Sequence, residues 1–136
     1  MRPETENTGR RFRSIRAWQH ADNLVALTYE VTRTFPKEEQ YGITSQLRRA
    51  TVSVAANIVE GASRRSRPEY LQFLSVAKAS LNEASYYIHL CGRLGYLSGS
   101  RLDRLDGMCE ETSRTLYGLI QSVSREGSAP LVPAVG

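Results

Sequence analysis

The two histidines and two cysteines are the side chains best equipped for chemistry, and their spacing argues against it. A di-metal carboxylate site in a helical protein needs Glu three residues before His on two helices. Here Ala17 stands three before His20, and Tyr86 stands three before His89. A cysteine nucleophile needs a base beside the thiol. His89 and Cys91 are two residues apart and leave a helix in different directions. Cys91 and Cys109 form no C-x-x-C pair, so both are expected to be reduced and packed. No Gly-rich phosphate loop or Ser-His-Asp pattern stands out. These residues point to a protein that is not an enzyme, with no metal and no cofactor.

Arginine is the second chemical resource. Lys and Arg total 18 against 14 acids, a net charge of +4, and all but Lys37 and Lys78 of the basic residues are Arg. Arg grips phosphate through a planar, bidentate fork that Lys lacks. A basic balance suits an anionic partner, although a compositional bias of the genome gives the same count. No run of eighteen apolar residues occurs, so no membrane span is expected. The polar, Arg-rich start has no apolar signal region, which predicts a cytoplasmic protein.

The elements that position these groups all read as helices. Residues 1–13 and 127–136 are expected to be disordered tails around one domain, 14–126. The first helix is predicted from Ser14, as N-cap, to Thr34, ended by Pro36. Trp18, Ala21, Leu24, Val25, Leu27, Thr28, Val31 and Phe35 repeat on it at three-four spacing. The second spans Tyr41 to Glu60, with Gly61 as its stop. Ser66, Pro68 and Glu69 give the third a capping box and an early Pro, and Gly95 gives it a left-handed end. Ser100 and Asp103 suggest a second capping box at the start of the fourth. Its seam is Leu102, Leu105, Cys109, Thr112, Leu116, Leu119 and Val123. Gly107 and Gly118 inside that helix are tolerable if a neighbour packs close. Four helices with short connections predict an all-α, antiparallel up-down-up-down four-helix bundle.

The second helix is central. Ile43, Leu47, Ala50, Val54 and Ile58 form one apolar stripe, and Val52, Ala55, Ala56 and Val59 place apolar groups on the far side. A helix apolar nearly all round is expected to be buried nearly all round, which predicts an oligomer. Gln46, Arg49, Ser53, Asn57 and Glu60 form a polar stripe that must find partners. One reading is structural, fixing register and subunit geometry. The other is a groove lined by Arg49 and Asn57 that contacts a ligand or nucleic acid. In an antiparallel hairpin Arg49 comes level with Glu83, which predicts an internal ion pair.

The stretch Phe35-Pro36-Lys37-x-Glu39-x-Tyr41-Gly42-Ile43-Thr44-Ser45-Gln46-Leu47-Arg48-Arg49-Ala50, then Val52-Ser53, Ala56-Asn57-Ile58, Glu60-Gly61 and Arg64, closely resembles the signature of one bacterial family. This is the four-helix bundle protein family found encoded in intervening sequences of the large ribosomal RNA gene. Related proteins are the accessory variability determinants beside reverse transcriptases of diversity-generating retroelements. The resemblance covers roughly residues 14 to 125. It implies a barrel-shaped homopentamer with a nucleic-acid-binding or reverse-transcriptase-assisting role. The family often has Pro at Ala55 and Gly at Ala79, so a straighter central helix and a slightly wider helix approach are expected here.

The up-down-up-down order gathers charge at one pole. Arg10, Arg11, Arg13, Arg16, Arg64, Arg65, Arg67 and Arg125 meet there, against Glu69 and Glu126. The opposite pole sets Arg33, Lys37, Arg93, Arg101 and Arg104 against Glu38, Glu39, Asp103 and Asp106. The surplus is six positive charges at the first pole and one at the second. The functional reading is binding of an RNA or DNA backbone with little sequence specificity. The competing reading is a protein-interaction scaffold with an ordinary solvated surface.

Overall fold

The computed structural model describes residues 11–128. Four helices form it: α1 (Arg16–Thr32), α2 (Ile43–Ala62), α3 (Arg67–Arg93) and α4 (Gly99–Ser128). Short 3-10 turns cover Arg11–Ser14 and Lys37–Glu39, and no strand occurs among the described residues. Each helix packs on the next, α1 closes on α4, and the backbones of the diagonal pairs do not approach closely. This is an all-helical four-helix bundle. The expected apolar stripes fill its centre: Leu24, Leu47, Ile58, Leu74, Ile88, Leu105 and Leu116 are fully buried.

Several boundaries differ from the sequence reading. Ser14 is not the N-cap of α1. Ile15 stands there without a side-chain bond, because Ser14 Oγ donates to the Arg11 carbonyl inside the preceding turn. That turn occupies part of the stretch expected as a tail, and Phe12 sets its ring edge-on to Trp18 at 4.9 Å. Residues 1–10 and 129–136 lie outside the described residues. The Ser66 cap holds: its Oγ accepts from the Glu69 N–H at 3.2 Å, with Pro68 in the first turn. Gly95 also holds as a left-handed end, with φ +80°. Its N–H donates to Gly92 and that of Tyr96 to Cys91, so two otherwise orphaned carbonyls are satisfied. Ser100 is no cap, since α4 already begins at Gly99.

Gly61 is not a stop. It is buried within α2, which continues to Ala62. A Cβ there would lie 2.9 Å from the Tyr70 ring and 3.0 Å from Phe73 Cβ, so the glycine admits α3. Gly107 and Gly118 are the reverse case, because a Cβ at either meets nothing within 4 Å. The close neighbour that would make these two glycines tolerable is not found among the described residues. Gly61→Val should therefore overpack the α2–α3 seam and destabilise by about 1–3 kcal/mol. Gly118→Ala should stabilise by up to about 1 kcal/mol through helix propensity. Thermal melting checks both, and equal midpoints for the two variants would contradict this assignment.

Candidate nucleic-acid interface

The arginine set is placed by three local structures. Arg11 and Arg13 sit on the N-terminal turn, which touches both α1 and α2. Arg16 opens α1, and Arg125 lies near the end of α4. Arg64 and Arg65 occupy the tight connection between α2 and α3, and Arg67 begins α3. Arg11, Arg13, Arg16, Arg64, Arg65, Arg67 and Arg125 are all exposed, whereas Arg10 lies outside the described residues. Arg64 is partly engaged. Its Nη2 bonds Glu60 Oε2 at 3.1 Å, and its guanidinium sits 4.7 Å from the centre of the Phe73 ring. An exposed i,i+4 pair of this kind is worth little.

The polar stripe of α2 divides in two. Its middle faces α3: Ser53 and Ser80 hydroxyls pair at 2.7 Å, and Asn57 Nδ2 donates to the Ser53 carbonyl and hydroxyl. Gln46 accepts weakly from the Tyr87 hydroxyl at 3.5 Å, which also donates to Glu83 at 3.2 Å. Burial, then the Glu83 charge, raises the Tyr87 pKa. Gln46, Arg49, Glu60 and Glu83 are exposed, and Ser53 and Asn57 are half-buried, so the stripe is less enclosed than expected. The Arg49–Glu83 ion pair does not form. Arg49 points into solvent, and Glu83 takes the phenol hydrogen of Tyr87 one turn along its own helix.

Sequence reasoning missed two residues. Arg48 donates from Nε to Thr32 Oγ1 at 2.8 Å and lies 4.5 Å from the centre of the Tyr29 ring, tying α2 to α1. Glu39 accepts from the Ile43 N–H at 3.2 Å, capping α2, and from the Tyr96 hydroxyl at 2.8 Å. A Cβ on Gly42 would lie 2.6 Å from Glu39 Oε1, so the Glu-x-x-Gly spacing was the available signal.

With this geometry in hand, comparison with known proteins places the chain. Residues 13–118 match the family described as 23S rRNA-intervening sequence protein. The chain belongs to that family. No curated protein matches. A crystal structure at 1.70 Å of a protein of unknown function from the S23 ribosomal protein family, from Bacteroides thetaiotaomicron VPI-5482, is similar with a TM-score of 0.71. At 20% identity it covers 77% of this chain and 95% of its own, which supports the fold.

Both thiols are free and buried. Burial, with a contribution from Glu39, pushes the Cys91 pKa up to about 11. Burial, with Asp106, pushes Cys109 up to about 12. Both stay protonated at neutral pH, which suits packing and not nucleophilic attack. Iodoacetamide at pH 8 should spare both in the native protein and modify both in denaturant. An unfolded thiol ionises near 9, below the folded values, so the folded state holds its protons longer. This contribution to stability is complete below about pH 9 and declines as pH rises towards 11 and 12. Native alkylation as fast as in denaturant would contradict the burial.

Proposed function

We propose that this protein is a non-enzymatic, oligomeric accessory that binds RNA or DNA by its phosphate backbone through its arginine-rich end. The observation that carries this reading is the exposure of Arg11, Arg13, Arg16, Arg64, Arg65, Arg67 and Arg125 on segments that an antiparallel bundle brings to one pole. Side-chain pairs support that order. Ser53 meets Ser80 and Gln46 meets Tyr87, so contacts climb α2 while descending α3. Arg48 meets Thr32 near the α1–α2 connection, which leaves Arg16 and Ala62 at the far ends of their helices. Phosphate contacts dominate such binding and are read as charge, with little base specificity. The family description makes 23S rRNA fragments the first ligand to test. The reverse-transcriptase role implied by the resemblance would use the same surface.

Assembly is supported by the outer face of the α2–α3 pair. Val52 and Val76 are 39% and 46% exposed, and Ala56 and Ala79 are exposed beside them in sequence register. The resemblance sets the expected number at five subunits. Sedimentation at micromolar concentration should show no dominant monomer of 15.2 kDa. A monodisperse monomer would end the oligomer reading.

Salt titration of single-stranded RNA binding tests the ligand. Changing Arg64, Arg65 and Arg67 to Ala should flatten the slope of log affinity against log salt by roughly 0.7–0.9 per lost contact. Changing Arg101 and Arg104 to Ala should leave it nearly unchanged. Equal losses would mean diffuse attraction, and no binding at low salt would favour a protein-interaction scaffold.

A further inference from the structure

A second basic site lies apart from the arginines just described. The end of α1, the connection through Pro36 and the start of α2 border an open cleft of about 220 Å³. Arg33, Lys37 and Arg48 line it together with Thr32, Gln40 and Thr44, and no carboxylate does. Like charges gathered in one cleft repel unless an anion joins them. Of the two acids in the turn beside it, Glu39 is engaged elsewhere, by the Ile43 N–H and the Tyr96 hydroxyl, and Glu38 is exposed and does not line the cleft.

Arg48 is held in place before any ligand arrives. Its Nε is bonded to Thr32 Oγ1, and one face lies over Tyr29. That leaves the two terminal amino groups as the donors of its fork. Arg33 and Lys37 are exposed and can close on an anion from the solvent side. The Thr44 hydroxyl, on a residue of the cleft wall, is buried and bonded to nothing.

We propose that this cleft binds a phosphate dianion, either free phosphate or the end of a phosphomonoester. Such a group carries about −1.5 to −2 charge at pH 7 and three strong acceptor oxygens. Three cations, one of them a pre-oriented guanidinium, more than offset that charge and match the three acceptor oxygens in number. At about 220 Å³ the cleft is below the roughly 300–1,000 Å³ of pockets that enclose whole drug-sized ligands, so the rest of any ester would lie in solvent.

Calorimetric titration with inorganic phosphate, a nucleoside 5′-monophosphate and the unphosphorylated nucleoside, at constant ionic strength, tests the site. Saturable binding of one phosphate per chain is expected, with none for the nucleoside. Arg33→Ala with Lys37→Ala should weaken it at least about tenfold, the scale of one lost charge-assisted hydrogen bond. Both side chains are exposed, so an unchanged melting midpoint should confirm the fold. Arg104→Ala and the Arg64, Arg65, Arg67 triple variant should bind as the wild type does. Tighter binding of the monophosphate identifies an ester end, and equal or weaker binding identifies free phosphate. Failure of both phosphates to saturate, or equal weakening by Arg104→Ala, would overturn the proposal. Neither result bears on the arginine-rich end, which the RNA titration tests separately.

Discussion

A missing methyl group at Gly61 governs how closely α2 and α3 approach. Tyr70 and Phe73 occupy the space that any larger residue would need. That approach brings the Ser53 and Ser80 hydroxyls to 2.7 Å, and Asn57 completes the group from the next turn of α2. Half-buried hydroxyls are costly unless paired, so the pair favours one register over its neighbours. A slide by one turn would part Ser53 from Ser80 and move Tyr70 and Phe73 off Gly61. The same register fixes the tight turn that carries Arg64 and Arg65.

The other connections are laced in a different way. Glu39 spends one carboxylate oxygen on the α2 N-terminus and the other on Tyr96. Tyr96 arrives there because Gly95 turns the chain back at the end of α3, and its ring packs 5.5 Å from that of Phe35. The hydrogen bond to Glu39, followed by burial, raises the Tyr96 pKa, so the phenol remains a donor. The segments after α1 and after α3 are thereby fastened together by one acid.

The fold was legible because most of its signals are local. Ser66 with Glu69, and Gly95 after Leu94, act through bonds that span only a few residues. The seam of α4 could be read from spacing because one face meets the core throughout. Gly61 was misread for a physical reason. A glycine that ends a helix and one that admits a neighbour look alike until the neighbour is placed. Ser14 and Ser100 failed similarly, since a competing turn or an earlier helix start removes the free N–H groups that a cap would serve. Of the candidate site, the exposure of the arginines was legible from their number and position. Arg48 was not, because its partner Thr32 lies 16 residues away, and Glu39 left a local signal only for its cap, since its bond to Tyr96 spans 57 residues.

The failure of Arg49 to pair with Glu83 sharpens the reading of α2. A helix whose polar groups were all absorbed inside the bundle would leave nothing to address another molecule. Here the inner polar positions, Ser53 and Asn57, are satisfied by α3 and by α2 itself. The outer ones, Gln46, Arg49 and Glu60, stay in solvent around Val52 and Ala56. A small apolar centre with a charged margin is the anatomy of an interface between proteins. Charge in that margin selects a partner's orientation more than it adds affinity. The phosphate contacts proposed at the helix ends need no such selection, because they would rest on guanidinium geometry. The assembly we propose would thus use the α2–α3 face, and the anion binding we propose would use the ends of the helices.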